Sequence, residues 1–345
     1  MTFNTNQTEF LSPKQKAAWD TGRQLVPPEV SLADITDPET RAGCTQIYNW
    51  TKEYLTSMYN EPDKYNGSPY RMFRLLDDVA EDSRMIDGGI PFSIKQYDNQ
   101  ISKNPCLPDL PLTGLEIVDR ADLKILTNKK YPLFCRYFKL FYDAAFRKKV
   151  NRIDYLMYND FRVLAPKYKR SFDDLTRALP DNLKSYASEM HGYALQKGTK
   201  LEPHKYYGRF IYKYKSQNVL MLQKNSWRQT PLDIAVPWGI NGANTADSYN
   251  SFMSTVDSQP DREGLTAYIQ KEICACDACG GRKKAAVRCT KEWIEINSKR
   301  RLLALCHRDI CKWKAAKNNL QYTGYDIKML KRLLDVRIMQ IDNLC

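Results

Sequence analysis

Six of the ten cysteines lie between Cys274 and Cys311, in the order Cys-x-Cys-x2-Cys-x9-Cys-x16-Cys-x4-Cys. Two thiolates in a Cys-x-x-Cys turn can face one ion, and a second pair arriving later in the chain completes a tetrahedral Zn²⁺ site. The segment offers seven donors for four places: Cys274, Cys276, Cys279, Cys289, Cys306, His307 and Cys311. Cys276 and Cys279, with Asp277-Ala278 between them, form the knuckle. Cys306 ends an expected hairpin of Trp293–Ile296 and Arg301–Leu305, turning through Asn297–Lys299. A zinc ribbon draws its second ligand pair from such a hairpin. Cys289 is expected as the fourth ligand, with Cys274, Cys311 and His307 as alternates. The expected ion is a structural zinc; an iron–sulfur cluster ranks second, because four thiolates also hold iron. The chain has three histidines and no His-Glu-x-x-His, and it lacks the His-x-Glu and Pro-Cys-x-x-Cys of zinc deaminases. Catalytic zinc is therefore not expected.

The same segment concentrates cations. Arg282, Lys283 and Lys284 follow the knuckle, Lys299, Arg300 and Arg301 lie at the expected hairpin turn, and Lys312-Trp313-Lys314 follows the last cysteine of the cluster. Cations on a metal-bound scaffold, beside aromatics, suit phosphate contacts and base stacking. The plainer reading is a small module whose Trp293 and Trp313 are core and whose charges keep it soluble. Charge is uneven along the whole chain. Residues 1–128 carry 13 Lys and Arg against 19 Asp and Glu, residues 129–200 carry 16 against 7, and residues 271–345 carry 17 against 8. Two basic blocks behind an acidic front favour a phosphate-bearing partner, unless acidic and basic parts of the chain pack together.

Other chemistry finds no motif. There is no Gly-x4-Gly-Lys-Ser/Thr and no Gly-x-Gly-x-x-Gly, and no histidine is placed with a nucleophile. Cys135 lies in an aromatic helix and reads as packing. Asp77-Asp78 and Glu81-Asp82 read as a solvated helix face. A pocket beside the 209–236 strands, lined by Tyr207, Tyr212 and Tyr214, is the alternative that would make the protein a small-molecule sensor or enzyme.

The elements that must carry these groups read as α+β. Ser12-Pro13, Thr36-Asp37-Pro38-Glu39 and Ser68-Pro69 open helices, the second running to about Asn60. Residues 88–115 read as an irregular connection with a short strand at Phe92–Gln96. A helix from Tyr131 to Lys149 packs Phe134, Phe138 and Phe141 inward, and Phe161–Leu164 reads as a strand. Beyond Asp181 come a helix, a hairpin of Arg209–Tyr214 and Val219–Gln223, a strand at Leu232–Val236 and two helices. The last helix opens near Thr323 and carries Ile327, Leu330, Leu334, Ile338 and Ile341. The expected organisation is a mostly helical region over 1–160, a helix and three-stranded antiparallel sheet domain over 161–271, and a zinc-ribbon-like module with a C-terminal helix over 272–345.

The N-terminus lacks a signal-peptide layout, and no apolar run approaches the roughly 18 residues of a membrane span. A cytoplasmic setting without a membrane partner is expected, where thiols stay reduced. The start Met1–Val30, the segments Ala42–Gln46 and Asp160–Leu164, the knuckle Cys276–Gly280 and the tail Asp326–Leu344 resemble proteins of gut Firmicutes with a C-terminal cysteine cluster. That resemblance implies a bacterial, cytoplasmic protein and no catalytic residues. The leading expectation is a non-enzymatic, zinc-stabilised binding protein that contacts nucleic acid. A small-molecule sensor or enzyme and a protein–protein interaction module are the alternatives.

Overall fold

The computed structural model describes residues 11–81, 84–86, 88–177, 179, 181–204, 208–224, 232–240, 245–272, 291–296, 299–304, 309–311 and 322–344. It is an α+β protein in which every described strand pairing is antiparallel. The chain divides into two compact units, one from residues 1–169 and one from residues 170–204 with 208–345.

The first unit contains α1 (Pro13–Gly22), α2 (Pro28–Ser31), α3 (Pro38–Asn60), α4 (Pro69–Ala80), β1 (Ile90–Ser93), α5 (Ile94–Asn99), β2 (Leu115–Arg120), β3 (Leu123–Asn128), α6 (Phe134–Arg147) and α7 (Arg152–Tyr158). Local chemistry explains the helix starts. Ser12 and Gln15 form a reciprocal capping box on α1, and Asp37 caps α3 by accepting from the Thr40 amide, 2.7 Å. The core is dense in aromatics: Trp50, Phe73, Phe134, Phe138, Phe141 and Phe161 are each at most 1% exposed. Phe134 and Phe138, one turn apart on α6, stack at 5.7 Å.

Three expectations need correction in this unit. The 88–115 connection is structured, with β1 and α5 where one strand over Phe92–Gln96 was expected, followed by short 3-10 turns. The β2–β3 hairpin was not anticipated; with β1 it makes a sheet of order β1-β3-β2. Phe161–Leu164 is a 3-10 helix, not a strand. Asn159 turns the chain there with φ 52°, and Arg162 binds Asp160 two residues back, at 2.8 and 2.6 Å, which curls the backbone. The Ser31 hydroxyl donates to the Asn159 carbonyl and accepts from the Phe161 amide, both at 2.7 Å, fastening α2 to this turn.

The second unit contains α8 (Asp173–Thr176), α9 (Asp181–Gln196), β4 (Lys200–Pro203), β5 (Arg209–Tyr214), β6 (Gln217–Lys224), β7 (Leu232–Pro237), α10 (Ala246–Asp257), α11 (Arg262–Glu272), β8 (Lys291–Ile296), β9 (Lys299–Ala304), β10 (Asp309–Cys311) and α12 (Gly324–Asp342). Its main sheet has the order β10-β7-β6-β5-β4, so the three expected strands gain a neighbour at each edge. The β5–β6 turn places Lys215 and Ser216 at φ 44° and 65°, the paired left-handed residues of a tight hairpin. Leu183, Ala187, Met190 and Ala194 of α9 share a core with Phe210, Leu220, Leu222, Ile234 and Val236 of the sheet. Ile327, Leu330 and Leu334 of α12 join that core, and Tyr322 accepts from the Ile234 amide at 3.0 Å. The terminal helix therefore packs with the main sheet. Burying such a face removes roughly 25 cal/mol per Å² of apolar surface from water and dominates what holds the unit together.

Candidate functional site

The clearest candidate surface is the β8–β9 hairpin. Its ladder pairs Ile296 with Lys299 at one end and Lys291 with Ala304 at the other. Lys299, Arg300 and Arg301 are thus the first three residues of β9, entering it directly from a two-residue connection. The expected turn was one residue longer, with the second strand starting at Arg301; the ladder instead takes Lys299 in. At the open end, Cys289 stands two positions before β8 and Cys306 two positions after β9.

The remaining metal candidates divide. Cys274, Cys276, Cys279, Cys289, Cys306 and His307 lie outside the described residues, as do Arg282, Lys283 and Lys284. Cys311 ends β10, where its backbone pairs with Ala235 of β7. It therefore belongs to the edge of the main sheet and not to the β8–β9 ladder. Among the described residues no group of three His, Cys, Asp or Glu side chains could hold a metal ion.

Four cations of the 129–200 block are engaged by carboxylates of the acidic front. Lys129 meets Glu116 and Lys130 meets Glu53, each at 2.7 Å; Arg136 meets Glu39 at 2.5 Å, and Arg152 meets Asp77 at 2.8 Å. These pairs set the basic block against the acidic front inside the first unit. Asp77 and Asp78 correct the expectation of a solvated face: they are 3% and 9% exposed. Arg152 reaches Asp77 through Nε and Nη2, joining α7 to α4, while Arg74 holds Asp78 at 3.0 Å. Burial raises the Asp78 carboxyl above its ordinary value, and Arg74 opposes that rise.

The tyrosines of the alternative pocket are structural where they are described. Tyr212 is fully buried, with its hydroxyl 2.7 Å from His191 Nδ1, and the His191 ring stacks on Phe172 at 4.0 Å. Burial pushes the Tyr212 phenol far up and the His191 imidazole down, so both are neutral at pH 7. Tyr214 donates to Asp342 at 3.1 Å. Tyr207 lies outside the described residues.

One buried group escaped the sequence reading. Arg337, on α12, has no exposed surface, whereas Ile338, expected in the apolar stripe, is only partly buried. Arg337 donates to the carbonyls of Asn218 (3.2 Å), Trp238 (3.3 Å) and Gly239 (2.5 Å), and to Gln340 Oε1 (2.5 Å). Burial lowers its pKa to about 10, which leaves it a cation. The signal was its position: Arg337 lies three residues after Leu334 and four before Ile341, inside the apolar stripe.

Among the described residues no helix is long and apolar enough to cross a membrane. No family model matches the chain, and neither a curated protein nor a solved structure matches it.

Proposed function

We propose that the protein is a zinc-stabilised, non-enzymatic binding protein that contacts nucleic acid through the basic tips of its cysteine segment. The observation that carries this reading is the β8–β9 hairpin. Its closed end opens onto Lys299, Arg300 and Arg301, and its open end is flanked by Cys289 and Cys306. The proposed zinc ligands are Cys276, Cys279, Cys289 and Cys306, a knuckle pair and a hairpin pair. Pairing of Cys311 with β7 favours Cys289 as the fourth. A two-stranded ribbon fits the major groove of a duplex, and cations at its tip meet the phosphates. Lys129, Lys130, Arg136 and Arg152 of the 129–200 block are paired with carboxylates of the acidic front, which supports placing the phosphate contacts on the cysteine segment instead.

The test is a labelled oligonucleotide titrated with zinc-loaded protein at several salt concentrations. Affinity should fall with salt at a log–log slope of about −0.7 to −0.9 per phosphate contact. Reversing charge in Arg300→Glu and Arg301→Glu should flatten that slope and weaken all sequences alike. Absence of binding at about 50 mM salt, where phosphate attraction is strong, would refute the nucleic-acid reading.

A further inference from the structure

The sheet of the first unit ends on β2, and among the described residues no strand pairs with the far edge of that strand. The Leu115 amide donates to the Leu110 carbonyl at 3.2 Å, which turns it away from β3. Backbone groups alternate in direction along a strand, so Ile117 and Asp119 also turn their N–H and C=O outward. Among the described residues neither makes a backbone bond outside the ladder. A row of this kind is a template for another strand.

The side chains say which strand fits. The ladder puts Glu116, Val118 and Arg120 on one face, with Val118 beside Ile125 and Arg120 beside Leu123. Pro91, Ile125 and Val118 form an apolar row across the three strands. Pro91 and Ile125 are buried, but Val118 at the end of the row is 41% exposed. Charged side chains on an edge usually keep other strands away. Here their signs discriminate between registers. Two copies of one strand related by a two-fold axis run antiparallel, and their outward groups meet only when the axis passes through a residue. Centring on Asp119 opposes it to its own copy and Glu116 to Asp122. Centring on Ile117 sets Glu116 against Val118 and Leu115 against Asp119. Centring on Val118 covers Val118 with its own copy and sets Glu116 against Arg120 on both sides of the axis.

We propose that β2 pairs with β2 of a second copy of this chain, antiparallel and with Val118 on the two-fold axis. Ile117 then exchanges backbone bonds with Asp119 of the second copy, and two three-stranded sheets become one of six. The apolar row runs on through Val118 into the same row of the second copy. Glu116 holds Lys129 through Oε2 at 2.7 Å, which leaves Oε1 for the incoming guanidinium. A strand of six residues buries little area, so the dimer is weak and concentration-dependent.

Sedimentation equilibrium of the full chain over a concentration series tests this, and a monomer–dimer equilibrium is expected. Arg120→Glu and Glu116→Arg each set like charges opposite one another twice and should weaken the dimer by about tenfold or more. The two changes combined restore opposite charges and should recover it. Val118→Cys places two thiols at a non-hydrogen-bonded pair, about 4.5 Å apart at Cα and within reach of a disulfide. Mild oxidation should link that variant into dimers beyond the level of the unaltered chain. Asp119→Cys, whose two copies stand diagonally about 8 Å apart, should not link. The proposal is overturned if the chain stays monomeric at millimolar concentration or if the single charge changes leave the dimer intact. Failure of the combined change to recover it, or linking of Asp119→Cys as readily as Val118→Cys, would overturn it equally.

Discussion

The two units bury positive charge in different ways. In the first, Arg152 and Arg162 each meet a buried carboxylate, Asp77 and Asp160, through two nitrogens, and their side chains keep 23% and 12% of their exposure. In the second, Arg337 is wholly buried and is held by three backbone carbonyls and one amide oxygen, with no carboxylate bonded to it. A carboxylate neutralises a guanidinium locally. Carbonyl dipoles solvate it without neutralising it, and they need many simultaneous contacts to do so. The lesson is that Arg337 acts as a multi-point staple between α12, the start of β6 and the chain just after β7, while Arg152 is a two-point joint between α4 and α7.

That difference predicts unequal costs. Arg337→Met takes a donor from the buried Trp238 and Gly239 carbonyls and Gln340 Oε1, as well as from the Asn218 carbonyl, and should destabilise the second unit by roughly 3 kcal/mol or more. Asp77→Ala leaves Arg152 able to regain water and should cost the first unit about 1–2 kcal/mol. Hydrogen exchange read on peptides from each unit separates the two. Equal losses, or a gain in stability from Arg337→Met, would show that the buried cation is a burden and not a staple.

A smaller effect tests a neutral pair in the second unit. The His191 pKa is lowered by burial, with Asp173 opposing. In the range between its lowered folded value and the ordinary value near 6.5, the unfolded chain binds more protons than the folded one. The stabilisation is therefore present above about pH 6.5 and is lost as pH falls through that window. Protection factors of peptides from α9 and β5, corrected for the pH dependence of intrinsic amide exchange, should fall between about pH 7.5 and 5.5. His191→Gln should remove the pH dependence. An imidazole titrating at its ordinary value by NMR would contradict the pairing with Tyr212.

Much of the fold was legible where local chemistry decides it. Asp37-Pro38 at the start of α3, the alternation of Arg209–Tyr214 and the Thr323–Asp326 capping box on α12 each specify an element without help from tertiary contacts. The β2–β3 hairpin was missed because its turn carries Ala121 at φ 44°, with no Gly or Asn to mark it. The signal available was weaker: Ile117 and Val118 on one strand facing Leu126 and Ile125 on the other. Phe161–Leu164 looked like a strand because its apolar run is short, and the Asp160–Arg162 clamp that curls it is a tertiary feature set by the burial of Asp160. Cysteine spacing and the charge blocks were legible at once, as was the β8–β9 hairpin, whose ladder takes in Lys299 where a turn residue was expected.

The central claim is that the cysteine segment is held by one zinc ion, and elemental analysis tests it most directly. Protein purified without added metal should contain one zinc per chain, with the cluster thiols resistant to alkylation until a chelator is added. Cys44, Cys106 and Cys135 give the internal reference, since burial pushes each of those thiols up to about 12 and keeps them unreactive in the native protein at pH 8. Protein containing neither zinc nor iron, with the cysteines from Cys274 to Cys311 free and reactive from the outset, would contradict the account.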